Sequence, residues 1–380
     1  MDAEQSNRDK PKNPKELADK RIKDFKEKEE TKVKELVGDR IVYVKRTKSN
    51  KYILRDVMAK WADLKEEIIG DLKRWRKNNH RSCQQESDSF DLWYRGVFSY
   101  EEKYGFQPKA QRKHEKSTNI GEFELSIEHE RVMFIEFERQ SPGLHAADIS
   151  KFWSTYFLMQ HYGMPTRLLD WTEAFMVALY FAVTKPKSFK IYRVNPPAVI
   201  MLLPQVLNYF RADKLDPVVE EVPNSLYFTV DSTLKIGGKL KHAHEPGSNS
   251  LITAYEIRSK DPKDYPCFPS AIRPHYQASR IRAQRSVFTI HGQDDGFRKI
   301  TQNNRNKCDD PPFLGILVLD LDDNSIRALK NQLAEMGISE STIFPDVAGL
   351  ANELAEDFTE GRRANIPRWK SMSFNRQSRE

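Results

Sequence analysis

The chain has 380 residues and a formal net charge of +7, with 38% hydrophobic and 11% aromatic residues. That suffices for one large domain with additions or for two domains, and for a packed core in the aromatic-rich part. No apolar run approaches the roughly 18 residues of a membrane span. Cys83, Cys267 and Cys308 are far apart, which points to a reducing compartment and against a structural zinc site. The basic balance permits an acidic partner without demanding one, because Lys and Arg are mixed with nearly as many Asp and Glu. The opening Met-Asp-Ala-Glu lacks a basic stretch followed by an apolar one, so the expectation is a soluble, cytoplasmic protein without a membrane partner.

In chain order, residues 1–36 are rich in Lys and Glu and read as a charged tail, disordered or a lone helix. Residues 37–80 form a helical N-terminal extension: Ile41–Val44 suits a short strand, and Val57, Trp61, Leu64, Ile68 and Leu72 make an amphipathic helix. Residues 81–360 form the main domain and 361–380 a basic tail. Phe90–Gly96 reads as a strand ending at glycine, and Ser99–Glu124 as a polar surface insertion. Helices are expected over Glu128–Glu138 and Asp148–His161, the second stopped by Gly163 and Pro165. Thr166–Trp171 is a short strand, and Asp170 or Thr172 caps the apolar helix that follows. Strands are then expected at Lys190–Val194, Ala198–Leu203, Asn224–Val230, Ser286–His291 and Phe313–Leu319. Two helices close the domain, over Ser325–Met336 and Ala348–Asp357.

Three segments carry polar groups suited to chemistry. In Trp93-Tyr94-Arg95-Gly96, an Arg beside glycine presents a fork of donors to a phosphate or carboxylate, or pairs with a carboxylate such as Asp170. In Gln160–Thr172, His161 is either a proton carrier or a capping group. Strand alternation there sets Thr166, Leu168 and Asp170 on one face and Arg167, Leu169 and Trp171 on the other. In Arg280–Thr289, Gln284 can orient a hydroxyl or ribose, although composition alone reads this segment as a basic edge strand. No phosphate loop, His-Glu-x-x-His, nucleophile elbow or metal-ligand spacing is present. His242, His244 and Glu245 read as a surface cluster.

Together these segments resemble the FRG domain family. The likeness rests on Tyr94-Arg95-Gly96, on Gln160–Thr172, on Ala178-Leu179-Tyr180-Phe181-Ala182, on Arg280-Ile281 with Gln284 and Phe288-Thr289, and on Ile343–Ala351 with Gly349. It spans about 90–355. A more distant likeness to the ADP-ribosyltransferase fold implies an α+β architecture: a central, mostly antiparallel split sheet flanked by helices. It also implies NAD as substrate. Arg95, Gly96, Tyr180 and His161 would bind NAD, with Arg95 on a phosphate. Gln284, Asp170 and Thr172 would serve the chemistry.

The function these likenesses imply is NAD-dependent ADP-ribosyl transfer or NAD hydrolysis, in a bacterial toxin or phage-defence effector. The acceptor would be a protein or nucleic acid, with a regulatory protein as a further partner. Gln284 cannot ionise, so Asp170 or a substrate group must supply any base. The other readings are a non-catalytic nucleotide- or nucleic-acid-binding module and a protein-interaction scaffold.

Overall fold

The computed structural model describes residues 14–46, 49–79, 90–101, 105–112, 114–115, 122–123, 125–144, 152–185, 195–208, 228–229, 234–236, 239–241, 257, 269–274, 278–292, 297 and 313–359. Helices α1 (Pro14–Lys28) and α2 (Glu30–Val37) lead into strand β1 (Ile41–Lys45) and the long helix α3 (Ile53–Asn79). Next come β2 (Trp93–Val97), a small hairpin β3–β4 (His114–Glu115, Glu122–Phe123), α4 (Ile127–Gln140) and α5 (Phe152–His161). The segment β5 (Leu168–Thr172), α6 (Phe175–Val183) and β6 (Ala198–Leu202) follows. After it lie β7 (Phe228–Thr229), a second hairpin β8–β9 (Leu234–Ile236, Lys239–Lys241), β10 (Ser270–Arg273), the short helix α7 (Ser279–Ala283) and β11 (Ser286–Ile290). The described chain closes with β12 (Leu314–Asp320), α8 (Asp323–Glu335), α9 (Glu340–Ile343) and α10 (Val347–Thr359).

The protein is a mixed α and β fold around one sheet, in the order β1-β12-β6-β2-β5-β11-β10-β7. All pairings are antiparallel except β1 with β12 and β10 with β7. β6 and β12 are buried nearly throughout, as expected of strands covered on both faces. The sheet narrows at its centre. β2 meets β6 over five residue pairs, but meets β5 through Tyr94↔Thr172 alone. No helix among the described residues is long and apolar enough to cross a membrane.

Alternation along β2 defines two faces. A Cβ on Gly96 would lie 1.9 Å from the Ala178 carbonyl oxygen, so Gly96 faces α6 and lets that helix touch the strand. Tyr94 shares this face, with its ring 5.6 Å from Phe175. Arg95 points the other way. α3 lies on the α6 side, where a Cβ on Gly315 would meet Ile68 at 2.5 Å. The expected periodicity of α3 holds, with Val57, Leu64, Ile68 and Leu72 all buried. Leu168 and Leu169 enter different core clusters, as the strand alternation requires.

Two expectations need correction. The charged opening segment is no tail within 14–36: Phe25 is fully buried and edge-on to Tyr100, and Arg21 pairs with Asp323 at 2.8 Å. Its apolar residues are too few to give a period, yet Ala18, Phe25, Val33 and Leu36 all reach the core. The polar stretch after Ser99 is anchored in the same way, by buried Tyr100, Phe106 and Ala110. The expected strand at 190–194, the start of the helix at Asp148, His242, His244, Glu245 and the three cysteines lie outside the described residues.

Candidate functional site

β5 hides every side chain but one: Leu168, Leu169, Trp171 and Thr172 are buried, and Asp170 is exposed. The Asp170 carboxylate is held from α5. Gln160 Nε2 donates to Asp170 Oδ2 at 2.9 Å, and Gln160 Oε1 accepts from Thr166 Oγ1 at 2.6 Å. That second bond fixes the amide orientation, because the oxygen is already engaged. His161, the next residue, ends α5. Burial lowers its pKa, Arg280 lowers it further and Asp346 opposes them, so His161 is neutral near pH 7. Arg280 in turn clasps one Asp346 oxygen through Nε at 2.6 Å and Nη2 at 2.5 Å, with its guanidinium over the Phe344 ring at 5.2 Å. A polar arc thus runs from Asp170 through Gln160 and His161 to Arg280 and Asp346.

Arg95 reaches Asp170 by another route. Its Nη1 donates to the Asp170 backbone oxygen at 2.7 Å. The ladder between β2 and β5 is open at this point, and the guanidinium supplies the donor that a paired strand would have supplied. Burial pulls the Arg95 pKa down to about 10, with Arg112 adding to the effect and Asp170 opposing it. A cation in that setting favours an anion beside it.

The other expected site residues are held by the fold. Thr172 Oγ1 accepts from Ala174 N at 3.0 Å, at the entry to α6, and donates to the Gln284 carbonyl at 2.7 Å. The Gln284 amide donates to the Ile343 carbonyl at 3.3 Å, which ties α7 to α9. Arg285 next to it sits at φ +46°, a left-handed turn that non-glycine residues adopt at a cost. Tyr180 is 1% exposed, and its hydroxyl donates to Glu340, so the ring is core rather than an open wall. Burial, helped by Glu340, raises its pKa. Gly96 makes room for α6. The structure therefore gathers Asp170 and His161 in one arc and sets Arg95 behind Asp170. It does not join Arg95, Tyr180 and Gln284: α6 and Arg95 lie on opposite faces of β2, and Tyr180 and Gln284 point to Glu340 and Ile343.

Sequence reasoning missed the buried group under this arc. Arg167 Nε donates to Glu130 Oε2 at 2.6 Å, Arg167 N donates to Glu130 Oε1 at 3.0 Å, and the Tyr156 hydroxyl also donates to Glu130. Arg167 Nη1 donates to the His291 carbonyl at 3.0 Å. Glu130 lies three residues after Ile127 and four before Phe134, and a carboxylate on that stripe was the available signal. A cavity of about 230 Å³ opens above this pair, between Ala110, Ile127 and Gly292. The Trp171 indole donates to Thr289 Oγ1 at 3.0 Å, and Thr289 Oγ1 lies 3.0 Å from His291 Nε2.

Residues 91–190 match the FRG domain family model. That span holds Tyr94-Arg95-Gly96, Gln160–Thr172 and Ala178–Ala182, while the Arg280 and Phe344 segments lie beyond it. No curated protein and no solved structure matches the chain.

Proposed function

We propose that this chain, which carries an FRG domain, uses the arc around Asp170 to consume NAD, by ADP-ribosyl transfer or NAD hydrolysis. One observation carries the reading: the single exposed side chain of β5 is a carboxylate, placed where the two halves of a mostly antiparallel sheet meet through one residue pair. A sheet opened at its centre, with Arg95 in the opening, supports an ADP-ribosyltransferase-like arrangement. When the C1′–N bond of NAD breaks, its electron pair leaves with nicotinamide and the ribose becomes oxocarbenium-like. The Asp170 carboxylate would stabilise that charge. A hydroxyl of water or of an acceptor would then bond to C1′, and neutral His161 would take its proton. Arg95 would hold a phosphate, and Gln284 would position α7 against α9 rather than act on substrate.

The test is nicotinamide release by the purified full chain. Asp170→Asn is expected to lower the rate by about 100-fold or more with the melting temperature preserved. Arg95→Lys is also expected to fail, since a point charge cannot replace the fork. No nicotinamide release with water or candidate acceptors, together with no NAD-induced thermal shift, would overturn the proposal.

A protein-interaction module is the second reading, favoured by the engagement of Thr172, Tyr180, Gln284 and Arg280 in contacts within the chain. Full NAD turnover by Asp170→Asn would leave it the better account of the arc. A basic nucleic-acid groove draws less support, because Arg280 faces Asp346, and Arg285 lies 3.8 Å from Glu173.

A further inference from the structure

We propose that Arg112 stands beside Arg95 as the second half of a cradle for a diphosphate. The inference rests on the NAD reading for which molecule carries that diphosphate, and on local geometry for the cradle itself. The face of β2 that carries Arg95 is roofed by residues 105–112. Arg95 lies directly opposite Ile200 across the β2–β6 ladder, so the two share that face. A Cβ on Gly105 would meet Ile200 Cδ1 at 3.1 Å, which seats the start of the segment there. Further on, Ala110 N donates to the Thr166 carbonyl at 3.1 Å, and Gln111 Nε2 donates to the Gly292 carbonyl at 2.9 Å. Residues 105–112 thus cross from β6 to the entry of β5, over the opening in the sheet where Arg95 lies. Arg112 ends the crossing. Its Nε and Nη2 donate to the Gln107 carbonyl at 3.0 and 2.8 Å. One edge of its fork therefore holds the segment, and the Nη1–Nη2 edge turns away from Gln107.

Arg95 and Arg112 are both half-buried, and neutral carbonyls orient both, that of Asp170 for Arg95 and that of Gln107 for Arg112. A carbonyl fixes a guanidinium without cancelling its charge. Arg112 lowers the Arg95 pKa by more than the Asp170 carboxylate raises it, so the cation is the stronger of these two neighbours. Arg167, by contrast, is matched by Glu130 at 2.6 Å. Two guanidiniums held near each other at a half-buried opening repel, and an anion of matching charge and width relieves that repulsion. A diphosphate has both. Each phosphate offers the paired oxygens that one fork binds, and two linked phosphates match two forks. A single carboxylate or phosphate engages one fork and leaves the second cation opposed. In the NAD reading, the diphosphate is the bridge that joins the two nucleosides of the dinucleotide.

Calorimetric titration of the full chain with inorganic pyrophosphate and, separately, inorganic phosphate tests the cradle without turnover. Pyrophosphate should bind about tenfold or more tighter than phosphate. Arg112→Gln should bring that ratio close to one, while phosphate affinity, set by Arg95, changes by less than about threefold. Arg112→Lys keeps the charge but not the fork and should lose about threefold or more of the preference, so it tests the same contact if Arg112→Gln does not fold. Equal affinity of the wild type for the two anions overturns the proposal, as does either variant with the wild-type ratio. A variant that weakens both anions alike would assign Arg112 to holding residues 105–112 alone, and overturns it too. Nicotinamide release is read separately. Arg112→Gln should raise KM for NAD about tenfold with kcat little changed. An unmoved KM in a chain that turns NAD over overturns this inference and leaves the NAD reading standing. A pyrophosphate preference that depends on Arg112, without any NAD turnover, upholds the cradle and overturns the NAD reading.

Discussion

At the residue scale, the buried Glu130–Arg167 pair and His291 beneath it make the sharpest statements about stability. The two charged side chains are 1% and 3% exposed. Removing one charge leaves the other uncompensated in the interior, which costs about 3–5 kcal/mol. Glu130→Gln should lower the urea-unfolding free energy by that amount, and a loss below about 1 kcal/mol would show that the pair is not a structural hub. His291 is fully enclosed. Burial first, then Arg167 and Arg95, depress its pKa to about 3. Its unfolded value is about 6.5, so on acidification the unfolded chain takes up the proton first. The stabilisation is therefore complete above about pH 6.5 and falls as pH drops, by about 1.4 kcal/mol per unit once well below that value. His291→Gln should flatten the urea midpoint between about pH 6 and pH 4.5, above the range where most carboxylates titrate. An unchanged slope would mean that His291 does not govern it. Arg167 was legible as facing away from Asp170. Its partner was not, because Glu130 lies 37 residues upstream and only the fold brings the two together.

Among the elements, sequence period located most of the regular structure and little of its fit. α3, β5, β6, β11, β12, α8 and α10 lie close to where alternation, helical spacing and the Gly and Pro stops place them. Their joints depend on atoms that approach across the fold. Ala178 and Ala182 are four apart in an otherwise bulky helix, and both meet a Cβ built on Gly96, the second at 2.7 Å from its backbone nitrogen. Such a pair of small residues shows that something will pack closely, but not that it is the glycine after Arg95. Gly96→Ala should cost about 3 kcal/mol or more, because both obstructing groups are backbone and cannot rotate away. Gly70 gives the contrast. It sits within α3 with nothing within 4 Å of an added Cβ, so Gly70→Ala should stabilise the protein by about 0.5–1 kcal/mol. Unfolding curves that rank the two variants the other way would refute this account of the joint. Thr172 was expected to cap α6, but Ala174 takes the cap position without a side-chain cap bond; the Thr172 hydroxyl instead accepts from Ala174 N just ahead of the helix, and its second bond to Gln284 needed the register of β5 with β11.

For the whole molecule, the sheet order joins segments that no local pattern connects. β1 pairs in parallel with β12, matching Ile41 to Ile316, so a strand from the start of the described chain closes one edge against a strand near its end. α1 and α2 cover the same region, and they are the part that composition most misrepresents. Lys and Glu dominate them, yet Phe25, Val33, Leu36 and Val37 are buried. Burial of four such side chains contributes on the order of 6–12 kcal/mol, comparable to the whole stability of a typical domain. Removal of residues 1–37 should therefore do more than shorten the chain. It would uncover Tyr100 and the outer part of the core, and take Arg21 from Asp323. The truncated chain is expected to lose its cooperative urea transition and the near-UV dichroism of its packed aromatics. A cooperative transition at the full-length midpoint would instead make these helices a separable appendage, because a segment whose burial supports the core cannot be cut away without moving that midpoint.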